Sequence, residues 1–510
     1  MIRPLLVLAF AAASVSAQPT PGGGADAPAL SPAAQQALGL SDAGAALYAR
    51  AYADALAFRL DDARAGFRRL GASEPESAAA AYGLESVALW EALVTEEDAV
   101  FDRFYALNDS LTARAEALGD APGARLAVAA AKLHRALAFG RQERYTRAGN
   151  SFREACGQFR DLTEADALYG QGVCEVAAGS VPRTYRWLAR LFGFTGSVSG
   201  GLDKLDRAAR ADAMLAVDAT VALAISDATL NERRAGSVDR LVALADAWPE
   251  SPVLAYLAGY HLLLDRRADE AEAVLRRAES SLQGEGVTPV PFLDAHLGTA
   301  LFRQREFEAA APILERYART FRGRALVAQS TLYAGIAYEM TGDRRRAEAL
   351  YRRVRAGRDY DVDLWAERDA ESRLDAPMTD AQRALVVGGA AFDAGDYEEA
   401  VRVLQPIVTD SSLPEADRAE AAYRTGRARQ AQEDWDEALR HFRLAADSPG
   451  DPLARWGPWS VYHMGEVFEA TGDLDEAERH YERVLENETE FDYNKSLEQR
   501  TRAALERIGR

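Results

Sequence analysis

The sequence predicts an all-α protein of stacked helix–turn–helix repeats, with an irregular helical region ahead of them. Three observations carry that expectation. Apolar residues recur at helical spacing almost from end to end, and no alternating strand pattern runs longer than a few residues. A glycine followed twelve positions later by an alanine recurs six times: Gly259 and Ala271, Gly298 and Ala310, Gly335 and Ala347, Gly388 and Ala400, Gly426 and Ala438, Gly465 and Ala477. Each alanine is followed four residues on by a large apolar side chain (Leu275, Leu314, Tyr351, Leu404, Phe442, Tyr481), one turn along the same helical face. In a helical hairpin the two small residues fall where the helices approach most closely. Larger side chains there overpack the contact, at about 1–3 kcal/mol.

From the amino terminus, Arg3, the apolar run Leu5 to Val15 and Ser16-Ala17-Gln18 form the pattern of a secretory signal, residues 1–17, cut after Ala17. The run is about 11 residues, short of the ~20 a spanning helix needs, and no later stretch is long and uncharged enough to serve. Residues 18–40, with Pro-Gly-Gly-Gly and Ala-Pro pieces, read as a flexible leader, so ordered structure is expected from Ser41. A helical domain with degenerate repeats follows over 41–250, in which Ala51, Ala63, Phe67 and Pro75 fit a weak unit. Cys156 and Cys174 fall on neighbouring predicted helices, 150–160 and 164–179, in a chain expected to leave the reducing cytosol. Their offset of about 6 Å along the helices is marginal for a bridge. A disulfide and a pair of buried thiols both stay open. The Gly-rich stretch Gly193 to Leu202 reads as a connector into a helix beginning near Asp203, whose N-terminus could hold an anion.

The regular array is expected over 251–491. Successive glycines lie 39, 37, 53, 38 and 39 residues apart, and the 53 marks an insertion near 356–380. It is read as a short helix over Val362 to Leu374 and a break at Pro377. Gly342-Asp343, Gly395-Asp396 and Gly472-Asp473 form turns in which the glycine closes one helix in a left-handed conformation and the acid starts the next. Residues 492–510 are expected to cap the array as a helix.

In this order of small residue, aromatic, turn, alanine and aromatic, the sequence resembles the tetratricopeptide repeat (TPR) family. Gly335, Tyr338, Gly342, Ala347 and Tyr351 match it, as do Gly465, Phe468, Gly472, Ala477 and Tyr481; Leu262, Leu301, Ala391 and Arg429 replace the first aromatic elsewhere. The resemblance implies a right-handed superhelix whose inner wall, lined by first helices, receives peptides or protein segments. A narrower likeness spans the chain. Ser180-Val181-Pro182 to Trp187, Leu191 to Gly196, Gly200-Gly201-Leu202, Trp459 to Gly465 and Ser496 to Arg500 resemble the tetratricopeptide-39 and inclusion-body-clearance group, whose roles are non-enzymatic. The secretory signal departs from those intracellular relatives.

Composition narrows the function. A 48% apolar share with 38 Gly and 19 Pro in 510 residues excludes disordered and collagen-like chains, and a net charge of −19 opposes nucleic acid and anionic lipid as partners. Only Lys132, Lys204 and Lys495 are lysines among the 60 basic residues. The six histidines, His134, His261, His296, His441, His463 and His480, are scattered as surface or packing residues, with no His-Glu-x-x-His pair and no Gly-Lys-Ser or Gly-Lys-Thr phosphate loop. No catalytic residue, metal site or cofactor is expected. By register, the inner wall would present Tyr256, Tyr260, Leu263, Phe292, Phe302, Leu332, Tyr423, Arg427, Trp459, Tyr462 and Glu466. Aromatics with arginine are typical contact residues. The reading is therefore a non-enzymatic protein-interaction scaffold or adaptor, periplasmic or secreted. Alternatives are a nutrient-capture or envelope-associated binding protein, opposed by the lack of an anchoring cysteine, and a superhelical enzyme acting on cell-wall glycan, opposed by the short stretch after Phe491.

Overall fold

The computed structural model describes residues 30–121, 123–163, 165–180, 195–211, 215–230, 236–357, 360–448, 454–487 and 489–509. Among them there are 25 α-helices and no strand. The expected signal, residues 1–17, and Val181 to Phe194 of the whole-chain likeness lie outside the described residues. The chain divides into two compact units. One comprises residues up to Leu264 together with Ala273–Leu293, and the other comprises Asp265–Glu272 and Asp294–Arg510.

In the first unit, ordered structure begins before Ser41. The end of the stretch read as a flexible leader is a helix, α1 (Pro32–Leu38): Ser31 Oγ accepts from the Ala34 amide at 3.1 Å, Pro32 sits in the first turn, and Gly39 closes the helix at φ 62°. Leu30, Ala34, Leu38 and Leu40 are buried, and Ser77 Oγ donates to the Leu38 carbonyl at 2.8 Å. Proline and glycine that looked like linker composition serve here as helix punctuation.

The weak unit at Ala51 forms a hairpin of α2 (Asp42–Leu56) and α3 (Leu60–Ser73), with Ala51, Ala63 and Phe67 all buried. A Cβ on Gly66 would lie 2.7 Å from that of Ala51, and one on Gly83, in α4 (Ala79–Thr95), would enter the Phe67 ring. α5 (Asp98–Leu118) is followed by α6 (Ala124–Arg141) and α7 (Tyr145–Arg160), a further hairpin the sequence did not reveal: Ala136 and Ala148 stand twelve apart and both are buried. Cys156 on α7 and Cys174 on α8 (Ala167–Gly179) form a disulfide, with Cα atoms 5.7 Å apart. The Gly-rich stretch is helical from Val198, five residues earlier than read, as α9 (Val198–Arg210). A Cβ on Gly201 would come within 2.5 Å of the Val176 amide nitrogen, and one on Gly172 within 2.9 Å of the Gly201 carbonyl. These glycines therefore serve helix–helix approach, with α8 and α9 backbone to backbone. α10 (Ala216–Leu230), α11 (Ser237–Ala247) and α12 (Pro252–Leu264) complete the run; α13 (Ala268–Ser281) straddles the division between the units.

The second unit contains α14 (Phe292–Arg303) from Asp294 on, α15 (Phe307–Thr320), α16 (Val327–Met340), α17 (Arg344–Tyr351), α18 (Asp361–Asp375), α19 (Asp380–Ala394), α20 (Tyr397–Thr409), α21 (Glu415–Ala431), α22 (Trp435–Ala446), α23 (Trp456–Thr471), α24 (Leu474–Leu485) and α25 (Asn494–Arg507). In all six glycine–alanine units, including the one at Gly259, a Cβ on the glycine would lie no more than 2.7 Å from the large side chain sixteen residues later. The six alanines are fully buried. The glycine thus makes the space that the second helix fills.

The turns follow one geometry. The residue seven after each of the six glycines is left-handed: Gly342, Gly395 and Gly472 at φ 92°, 92° and 87°, but Arg266, Arg305 and Glu433 at 58°, 69° and 60°. Asp343, Asp396 and Asp473 then cap the next helix, accepting from the Arg346, Glu399 and Glu476 amides at 3.0, 3.3 and 3.2 Å. Three units therefore hold a side chain where glycine is the unstrained choice, at about 1 kcal/mol each. The insertion is helix α18, tied to α25: Ser496 N donates to Asp361 at 3.1 Å, and Arg368 pairs with Asp492.

Candidate functional site

The residues predicted to line one wall are distributed otherwise. Tyr256, Tyr260, Leu263 and Phe292 belong to the first unit, where Tyr256 stacks on Phe292 at 5.5 Å and Arg141 lies 5.8 Å from the Phe292 ring centre. Leu332 is wholly buried and Tyr462 is 2% exposed, packed on Tyr481 at 5.6 Å, so both are core. The helical register put them on the inner side of first helices, but that side is wide enough to include the seam with the neighbouring repeat. Phe302, also buried, stacks on Tyr333 at 4.6 Å, which in turn meets Trp365 of the insertion.

Tyr423, Arg427, Trp459 and Glu466 do converge, around a residue read as packing. α21 and α23 run side by side, bringing His463 between them. His463 Nε2 accepts from Arg427 at 2.9 Å, Nδ1 donates to Glu466 at 2.7 Å, and Tyr423 OH lies 3.3 Å from Nε2. Gln430 donates to the same Glu466 oxygen at 3.1 Å. Burial and the Arg427 charge push the His463 pKa down to about 4, so the ring is neutral at pH 7. Burial works against the Glu466 carboxylate, but His463, Arg427 and Gln430 hold it well below the usual range. The single carboxylate at this point is already saturated by its own neighbours.

From this node a run of guanidinium groups and rings extends both ways. Arg427 lies 5.4 Å from the centre of the Phe392 ring, and Arg266, from the turn of the first unit of the array, lies over the same ring at 4.4 Å. On the other side Trp459 meets His463 at 5.8 Å, and Arg500 of α25 stands 5.9 Å from the indole. A branch leads from Tyr423 to Trp456 at 5.2 Å and on to Arg455, which lies 4.7 Å from Trp456, 4.5 Å from Tyr493 and 5.5 Å from Trp365. Among the described residues, no carboxylate lies within ion-pair distance of Arg266, Arg427, Arg455 or Arg500, whereas Arg424, Arg440 and Arg502 each pair with a glutamate on their own helix. Arg266 Nε, Arg427 Nε and Trp459 Nε1 donate to nothing in the described structure.

Arg266, Arg455, Trp365, Tyr493 and Arg500 were not legible as one cluster, because they come from turns, the insertion and the last helix rather than from repeat register; Phe392 and His463 stand on first helices, α19 and α23, and were missed although Phe392 follows its glycine by four, as Leu263 and Phe302 do. A repeat-by-repeat look at the position seven after each glycine would have singled out Arg266. Elsewhere in the second unit, a cleft of about 300 Å³ with a mixed lining is bounded by Ala419, Ala445, Trp456 and Val461 and by the polar Ser448, Arg483 and Asn487. Among the described residues no cluster of His, Cys, Asp or Glu could hold a metal ion, and no helix is long and apolar enough to cross a membrane.

Models of the tetratricopeptide repeat match residues 296–361, 388–452 and 460–491. These residues carry tetratricopeptide repeats. The matched segments cover the units at Gly298 to Gly465, while the TPR-like hairpins at Ala51 and Ala136 fall outside them. No curated protein matches the chain. Among solved structures it is similar to yeast Tom70 (12% identity over 88% of this chain and 93% of that one, TM-score 0.31). It is likewise similar to a human IFIT1 dimer with PPP-AAAA (12% identity, 79% and 89%, TM-score 0.30), and to the Cut9–Hcn1 hetero-tetramer of the APC/C (14% identity, 90% and 96%, TM-score 0.23). The TPR fold is that of a protein-interaction scaffold.

Proposed function

We propose that this protein is an exported adaptor that docks protein partners on the arginine–aromatic surface running from Phe392 through Arg427 to Trp459. The observation that carries the reading is the set of guanidinium groups resting on ring faces without a carboxylate of their own. Arg266 and Arg427 are half-buried, so these two are already partly dehydrated and held in place, which lowers the ordering cost of binding; Arg500 is exposed at the edge. Export is supported by the signal pattern ending at Ala17 and by the pairing of the chain's two cysteines. Nothing in the site suggests nucleophile, acid–base or metal chemistry, so the reading is a binding role.

Affinity capture from the native envelope, with the mature chain and its Trp459→Ala and Arg427→Gln variants as baits, tests the proposal. A partner retained by the parent chain and lost from both variants at unchanged helical circular dichroism is expected. Capture that the variants do not alter moves the docking surface elsewhere. Tyr462 is unsuitable for this test because it is core. Amino-terminal sequencing of the native protein should begin at Gln18; an intact Met1 in a cytoplasmic fraction would remove export.

A further inference from the structure

We infer that the surface between Arg266 and Arg427 is an anion site whose occupant is an acidic segment of a partner protein, carboxylates bridging the two guanidinium groups across Phe392. The inference rests on the docking reading above and specifies the chemistry of the partner. Two independent observations carry it.

The first is charge. Both guanidinium groups lie over one ring, at 4.4 and 5.4 Å from its centre, in a chain that carries an excess of acidic residues. Neither has a carboxylate within ion-pair distance among the described residues. Asp393 and Glu466 act on them only through space, and Glu466 is taken up by His463 and Gln430. Burial and the neighbouring Arg427 make the charge on Arg266 harder to hold, which is the situation an incoming anion relieves.

The second is backbone conformation. Arg266 stands at φ 58°, at the turn position where the units at Gly335, Gly388 and Gly465 use glycine. A side chain there is maintained against local strain, and strain of this kind concentrates at functional positions. Arg305 occupies the same position one unit later, but its Nη2 pairs with Asp396 at 3.2 Å. Arg266 has no such return.

The conformation makes a clean variant available. Arg266→Gly removes the cation and at the same time relaxes the turn, so lost binding cannot be attributed to lost stability. With the full mature chain and a fluorophore-labelled peptide of about ten glutamates, anisotropy should show saturable binding that weakens with rising salt. Arg266→Gly and Arg427→Gln should each weaken it about tenfold or more, with the Arg266→Gly melting temperature unchanged or raised. Arg479→Gln, whose parent pairs with Glu476 on the surface, should bind as the parent does. Absence of peptide binding, binding indifferent to Arg266→Gly, or preference for a single-stranded RNA of about the same length would each overturn the inference. If the peptide fails while Trp459→Ala still loses a captured partner, the docking reading stands and only its acidic preference falls.

Discussion

The two units use the same hairpin with different fastenings. In the second unit the register is set by glycine, alanine and a large residue at fixed offsets, repeated with little change, and the turn residue seven after the glycine is left-handed every time. In the first unit the hairpins at Ala51 and Ala136 keep the left-handed turn, at Phe58 and Glu143, yet put alanine where the others have glycine. There the tight approach moves to Gly66, Gly83, Gly172 and Gly201, and a disulfide is added. A regular array can be held by repetition of one contact. An irregular one needs separate devices at each interface.

The largest difference between the units should come from the disulfide. It closes 18 residues of sequence, and a loop of about that size is worth about 3 kcal/mol. Reduction, or Cys156→Ser with Cys174→Ser, should raise hydrogen exchange in residues 145–210 while leaving residues 294–491 unchanged. Equal loss in both would mean the units unfold as one.

Next come the glycines. Gly465→Leu would drive a side chain into Tyr481, and Gly83→Leu would drive one into Phe67. Each should lower stability by about 1–3 kcal/mol in a thermal melt. Gly149→Ala, on α7 with nothing within 4 Å, should instead raise it by about 0.5–1 kcal/mol. A neutral Gly465→Leu would break the shared-contact account.

Acid separates the units through their histidines. His441 and His463, both in the second unit, are pushed down to about 4 by burial and nearby arginines. The unfolded chain takes up these protons near pH 6.5 and the folded one only near 4, so the stability they protect is complete above 6.5 and is lost as pH falls through that window. The first unit has one of each kind. His261 is pushed down to about 4 by burial. His134, against its burial, is raised by Glu85, so its contribution is complete below pH 6.5 and is lost as pH rises through its raised pKa. Hydrogen exchange between pH 6.5 and 4 should therefore rise more steeply in the second unit, and His463→Gln with His441→Gln should flatten it. A comparably small effect is expected for Glu433→Gly, which relaxes an exposed left-handed turn and should stabilise the second unit by about 1 kcal/mol.

Much of the second unit was readable because its contacts are local. Gly335 and Tyr351, or Gly465 and Tyr481, meet within one hairpin, so their spacing in sequence is their geometry in space. The insertion helix at 361–375 and the final helix were equally plain from period and breakers. The first unit hid more, since its glycines face partners on other helices and the same residue types serve as linker elsewhere; α1 and the start of α9 were read as linker for that reason. Of the proposed docking surface, register brought Arg427, Trp459 and Glu466 together beside the buried Tyr423, while Leu332, Tyr462, Tyr256, Phe292 and Phe302 are buried elsewhere.

By itself, then, the amino-acid order determined the all-α class, the six hairpins and the depth at which their small residues sit, because each depends on neighbours within about forty residues. Tertiary packing alone decided which aromatics are wall and which are core, that His463 links Arg427 to Glu466, and that Arg266 reaches Phe392 across more than a hundred residues of chain. Those outcomes depend on how successive hairpins rotate against one another, a quantity set by the summed fit of many side chains and carried by no single position.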